Sequence, residues 1–241
     1  MKRLLLPALI GALAANSQAV IIWDNHTGVS GATASTSTPR FLMADSLTTI
    51  ADAGAGMQWQ INSVDFGLAV SGVQSWAAGR LTVKMSFYNN YNPAATGTTP
   101  VFSNLAGTYT HAMGGITTTA TGTTSFAITG SQAANPFKLA AKSTNFGVTF
   151  EFFLDGTRTD LAQIAWRDIA PTVGTSHNGF FRDMNDDGII AANEASNFAN
   201  WTNGNARMRV NATAVPVPEP ASMAALALGA GIVARRRRRN S

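Results

Sequence analysis

Apolar and polar residues alternate with a period of two in several stretches of this chain. Leu81, Val83, Met85 and Phe87 alternate with Thr82, Lys84, Ser86 and Tyr88. Phe146, Val148, Phe150, Phe152 and Leu154 alternate with Gly147, Thr149, Glu151 and Phe153. Successive side chains of a strand point to opposite faces, so each stretch reads as a strand with one buried face. Trp59 and Ile61 share a phase that Val64 and Phe66 resume one residue out of step, which predicts a β-bulge between the pairs. Met208 and Val210, set among Arg207, Arg209 and Asn211, predict a last strand that runs into the tail. Shorter strands are predicted at 20–23, 41–44, 125–128, 164–167 and 179–182, while the Thr/Gly segments 28–38 and 114–124 read as loops or ragged hairpins. No stretch between the two ends keeps a 3.6-residue apolar stripe. Many short strands parted by Gly, Pro, Asn and Thr turns predict an all-β fold, an antiparallel jelly-roll-like β-sandwich.

The ends follow a different rule. Lys2 and Arg3 precede an apolar run over 4–15, and Asn16-Ser17-Gln18-Ala19 supplies small residues at the last and third-last positions before a cut. This is the layout of a secretory signal peptide, here a helix over 1–19 with cleavage between Ala19 and Val20. At the other end, residues 215–241 read VPVPEPASMAALALGAGIVARRRRRNS. Pro216, Pro218 and Pro220 favour an extended, accessible spacer. Residues 221–234 are uncharged and largely apolar, about 14 residues or roughly 21 Å as a helix. A bilayer core is roughly 30 Å thick, so this predicted transmembrane helix is short for a permanent span. Arg235, Arg236, Arg237, Arg238 and Arg239 then form a stop held on the cytoplasmic side.

Pro218-Glu219-Pro220, the apolar helix and the arginine cluster together resemble the PEP-CTERM sorting signal of Gram-negative bacteria. The resemblance implies export, a transient stage in the inner membrane, and processing by an exosortase-type enzyme, usually in species that make exopolysaccharide. The chain then divides into a signal peptide (1–19), a β-sandwich domain (20–214) and a sorting tail (215–241).

That division changes how the charge is read. The formal net charge is +4, from 17 basic and 13 acidic residues, but seven of the basic ones lie in the two signals. With both signals set aside, ten basic residues stand against 12 acidic ones, since Glu219 lies in the tail, which argues against nucleic acid as a partner. About 200 residues remain, enough for one domain with a core of its own. The chain has no cysteine, which excludes thiol catalysis and thiolate metal sites.

A second resemblance spans most of the exported part. The segments Phe41-Leu42-Met43-Ala44-Asp45, then Trp59-Gln60-Ile61-Asn62-Ser63-Val64-Asp65-Phe66, then Val83-Lys84-Met85-Ser86-Phe87-Tyr88-Asn89 are similar to the choice-of-anchor domains. Asn178-Gly179-Phe180-Phe181-Arg182-Asp183 fits the same pattern. These domains are bacterial β-sandwich modules found with alternative C-terminal anchors, and the resemblance implies no particular activity.

Residues 183–194 carry the sharpest local motif, DMNDDGIIAANE. A hard cation needs six to eight oxygens converging on one point. Asp183, Asn185 and Asp187 would give side-chain oxygens, Ile189 its carbonyl and Glu194 both carboxylate oxygens, while Gly188 allows the sharp turn. The segment resembles the isolated loop of dockerin-like extracellular calcium motifs. A structural Ca2+ is the one cofactor expected, and an Asp/Asn/Gly-rich turn explains the same residues without a metal.

Catalytic motifs are absent: there is no Gly-x-Ser-x-Gly elbow, HExxH helix, phosphate-binding loop or dinucleotide fingerprint. His26, His111 and His177 are dispersed and read as loop or surface residues. Glu151, Asp155, Asp160 and Asp168 could supply a glycosidase pair, but strand ends and turns account for them equally. Tyr88 and Tyr91, among amides in what reads as a loop after a strand, are candidate carbohydrate contacts, with Trp76 and Tyr109 beside other polar segments. The expected function is a non-enzymatic structural or adhesive component of the cell surface or exopolysaccharide matrix. A lectin-like module is the alternative, and a secreted hydrolase the third reading.

Overall fold

The computed structural model describes residues 18–26, 42–48, 53–92, 101–130, 132–140, 145–175, 180–183, 185, 187–188, 191, 195–196 and 204–217. Among them every regular element is a strand and the strands pair antiparallel, as the period-two pattern predicts. The signal-peptide and tail helices, the 28–38 loop, Ile189 and Glu194 lie outside the described residues. No helix of the described residues is long and apolar enough to cross a membrane.

The first sheet is built on β3 (Met57–Ser71). One edge of β3 pairs with β17 (Met208–Pro216) and, further along, with β12 (Ala162–Ile164). Its other edge takes β9 (Gln132–Lys138) and β8 (Thr123–Ile128). β17 pairs onward with β1 (Val20–Asp24) at the edge of this sheet. The bulge predicted between Ile61 and Val64 is present: Asn211 faces Ser63 while Ala212 faces Ile61, leaving Asn62 as the extra residue. Its amide donates to the Thr213 hydroxyl at 2.7 Å. The slip restores phase, so Ile61, Val64, Phe66, Leu68 and Val70 are all buried.

The second sheet runs β15 (Ala195–Ser196), β14 (Phe180–Asp183), β2 (Leu42–Thr48), β10 (Asn145–Leu154), β5 (Leu81–Asn92) and β6 (Val101–Ala112). β11 (Thr157–Arg158) folds back on β10 through Asp155-Gly156, both at positive φ (50° and 80°). That is the geometry an Asp-Gly hairpin turn adopts. Two small sheets complete the structure, β13 (Trp166–Asp168) with β16 (Gly204–Ala206), and β4 (Gln74–Trp76) with β7 (Ile116–Thr118).

The apolar faces of the two large sheets meet in one core, which joins Phe66, Leu68 and Val210 of the first to Val83, Phe87, Val148 and Phe150 of the second. Phe137 of β9 crosses between them, its ring 5.2 Å from that of Phe87 and lying over Gly107 of β6. A Cβ at Gly107 would run into the Phe137 ring, so glycine is needed there. The single strand predicted at 164–167 is divided: β12 belongs to the first sheet and β13 pairs with β16. Between them the Ala165 N–H donates to the Gly67 carbonyl at 2.8 Å. The 114–124 segment is a ragged connection holding only the three-residue β7 before β8 begins at Thr123. The pairings establish an all-β, multi-sheet antiparallel architecture.

Candidate functional site

Two places carry functional expectation, the loop that follows β14 and the ends of β1 and β17. β14 ends at Asp183, which is wholly buried. Its Oδ2 accepts the Gly188 N–H at 2.7 Å, and Gly188 takes a φ of 80°. Asn185 and Asp187, both exposed, bond each other: the Asn185 amide donates to Asp187 Oδ2 at 3.0 Å, and the Asp187 N–H donates to Asn185 Oδ1 at 3.3 Å. Arg158 Nη1 stands 4.0 Å from Asp183 Oδ2. The other expected ligands, Ile189 and Glu194, fall outside the described residues. Among the described residues no group of three or more His, Asp or Glu gathers as a metal site would require.

The carboxylates considered for hydrolysis are placed apart in role. Glu151 is held by Lys84 Nζ at 2.8 Å and by Arg158 Nη2 at 3.3 Å. Asp155 forms a forked pair with Arg80, whose Nε lies 2.8 and 3.1 Å from its two oxygens. The hydrogen bond from Arg80 is the main cause that holds the Asp155 carboxyl below the usual carboxylate range. Asp168 is exposed at the end of β13. Arg158 therefore links Glu151 to Asp183, a bridge the sequence pattern did not reveal. Arg158 comes into reach only because the Asp155-Gly156 turn folds β11 back on β10.

The aromatic candidates also resolve. Trp76 and Tyr109 belong to the buried core. Tyr88 is half-buried in β5, which continues through Asn92, so the segment expected to be a loop is strand. Positions 88 and 91 have opposite parity in it, and the Tyr91 side chain is outside the described residues. His111, expected on a loop or surface, sits in β6 with its ring stacked 6.2 Å from Tyr109 and edge-on to Phe66 at 6.0 Å. Burial lowers its pKa. His26 is half-buried just beyond β1, its pKa lowered by burial and then by Arg207, and His177 is outside the described residues.

At the chain ends, Gln18 and Ala19 are exposed and unpaired with any strand, and β1 starts at Val20. β17 carries pairing past the expected 214/215 boundary: Pro216 faces Met57, and the Val217 N–H donates to the Gly56 carbonyl at 2.8 Å. Because β1 and β17 are antiparallel neighbours, with Val20 opposite Ala212, the expected signal cleavage site and the start of the tail emerge at the same end of the sheet.

Comparison with known families places a PEP-CTERM protein-sorting motif on residues 216–239 of this chain. No curated protein and no solved structure matches it. The motif indicates export and sorting to the surface through a membrane-anchored stage, and it implies processing by an exosortase. This agrees with the tail reading built on Pro218, Glu219, Pro220 and Arg235 to Arg239.

Proposed function

We propose that this chain is a non-enzymatic structural or adhesive component of the cell surface or the exopolysaccharide matrix, delivered there by its sorting tail. The observation that carries the proposal is the direct joining of the sorting motif to β17, the strand between β1 and β3 in the first sheet. Only residues 218–220 separate Val217, the last of the described residues and hydrogen-bonded to Gly56, from the apolar run that starts at Ala221. Fully extended, that interval spans about 14 Å. While the tail is embedded, the folded domain therefore stands against the bilayer, with its Val20 end towards it.

Cleavage between Ala19 and Val20 would leave β1 whole, which supports a signal peptide over 1–19. The domain itself is read as a β-sandwich of the choice-of-anchor kind. The non-enzymatic reading draws support from Glu151 and Asp155, whose carboxylates are engaged by Lys84, Arg158 and Arg80. Calcium at Asp183, Asn185, Asp187, Ile189 and Glu194 would brace the loop after β14, and the hydrogen bond from the Gly188 N–H to Asp183 is compatible with that role.

The test is to fuse residues 215–241 to an exported reporter in an exosortase-bearing host. Surface delivery and shortening of the reporter are expected, and both should be lost when Pro218-Glu219-Pro220 becomes Ala-Ala-Ala. Identical localisation and length with and without the tail would sink the sorting claim. For the matrix role, a deletion strain is expected to show altered retention of surface polysaccharide.

A further inference from the structure

Outside the core, the first sheet has a second buried layer, and it is basic. In β3 the odd positions Gly67 and Ala69 point away from the core, yet Ala69 is fully buried and packs with Ala165. Across this bed lies Arg207, which joins β16 to β17. Its N–H donates to the Ala165 carbonyl at 2.7 Å, and its carbonyl accepts the Gly67 N–H at 2.7 Å. A Cβ at Gly67 would come within 2.6 Å of Arg207 Cδ and 2.9 Å of the Ala165 Cβ. Glycine at 67 and alanine at 69 and 165 thus make room for an arginine stem.

The head of that side chain is unusual. Arg207 is 9% exposed, and its Nε is sealed from solvent with no hydrogen-bond partner among the described residues. Beside it, Arg167 is 1% exposed and donates Nη1 to the Asn25 carbonyl at 3.2 Å. His26 Nδ1 is also buried without a partner. The nearby carboxylates are engaged elsewhere. Asp24 Oδ2 takes Arg209 at 3.2 Å and its Oδ1 the His26 N–H at 2.7 Å. Asp65 lies 3.6 Å from Arg209 Nη1 and accepts the Gly130 N–H at 3.0 Å. Burial, and after it the charge of Arg167, lowers the pKa of Arg207. A buried donor without a partner is unfavourable, and buried ionic groups are as a rule paired.

We infer that Arg207, with Arg167 and His26 beside it, is a binding site for a carboxylate taken from solution. The planar guanidinium fork matches a carboxylate through two parallel N–H···O bonds. The carboxylate has two possible sources, a free organic acid or the uronic-acid units of an acidic polysaccharide. The site rests on the fold and stands whether or not the sorting proposal holds; the polysaccharide source alone deepens that proposal.

The experiment uses the full-length chain in detergent, titrated calorimetrically with sodium glucuronate, with glucose as the uncharged control and ionic strength held constant by chloride. Saturable binding of glucuronate and none of glucose are expected. Arg207→Met should weaken binding by about tenfold or more, an interval of about 1.4 kcal/mol. Without ligand, this variant should melt no lower than the parent, because it removes a buried Nε donor that has no partner among the described residues. Arg207→Lys keeps the charge without the fork, gives a second reading should the Met variant fail to fold, and is expected to bind several-fold more weakly. Equal heats for glucuronate and chloride would overturn the site. So would unchanged affinity in both variants. Alginate, a polyuronate, separates the sources: tighter binding per uronate unit than glucuronate indicates the polymer, and equal binding indicates the free acid; either supports the site.

Discussion

If the two sheets are held together as described, the contact between Phe87 and Phe137 should carry a measurable coupling energy. Phe87 is fully buried on the second sheet, with ring centroids 5.2 Å from Phe137 of the first sheet and 5.8 Å from Phe146 of its own. Replacing Phe by Leu nearly conserves volume, so each single change should cost about 1 to 1.5 kcal/mol. A tilted aromatic pair is worth about 0.5–1.5 kcal/mol beyond its area. The double variant Phe87→Leu/Phe137→Leu should therefore be less damaged than the sum of the single changes by about that amount. For a domain of this size 1 kcal/mol moves Tm by about 2–4 °C, within reach of circular dichroism melts backed by urea titration. The Phe87→Leu/Phe146→Leu cycle serves as a control within one sheet. Strict additivity in the Phe87/Phe137 cycle, with coupling retained in the control, would refute the meeting of the sheets at this point.

Three further outcomes are expected. His26 and His111 have pKa values lowered below the ordinary 6.5, chiefly by burial. The unfolded chain therefore binds the proton more readily, and stability should be full above about 6.5 and decline as pH falls below it. His111→Gln should reduce that slope, and an unchanged Tm profile from pH 7 to 5 would contradict it. Calcium at tenfold over a millimolar-class Kd should raise stability by about 1.4 kcal/mol, with chelator reversing it and Asp183→Asn abolishing it; a calcium-indifferent melt would remove the site. Gly156 turns at φ 80°, so Gly156→Ala should cost about 1 kcal/mol in urea unfolding, whereas Thr157→Ser, one step on, should cost far less.

Much of the architecture could be read from the chain because one face of each main strand is buried. The alternations at 81–87 and 208–210, and the slip around Asn62, appear in the pairing and burial. By contrast, β10 is paired on both edges and its polar positions Thr149 and Glu151 are buried too, against the one buried face expected at 146–154. β6 was not legible, since Gly107 interrupts its apolar face and the missing bulk is supplied from β9 by Phe137. The β10–β11 hairpin did have a signal, Asp155-Gly156 between strand-like segments, which the alternation alone does not use. At the candidate sites the limits are sharper. A strand pattern cannot show that the outward face of β3 is covered in turn, as the burial of Gly67 and Ala69 requires. Tyr109 and Trp76, aromatic residues in polar neighbourhoods, are core residues because tertiary contacts, not flanking sequence, decide burial.

The central claim is that both ends of the chain address it outward and that the β-rich part between them is what arrives. Intact-mass and terminal-peptide mass spectrometry of the protein from its native surface fraction tests this most directly. The account predicts a polypeptide that begins at Val20 and lacks Arg235 to Arg239. A full-length chain from Met1 to Ser241, recovered folded from the cytoplasm and missing from the surface, would contradict it.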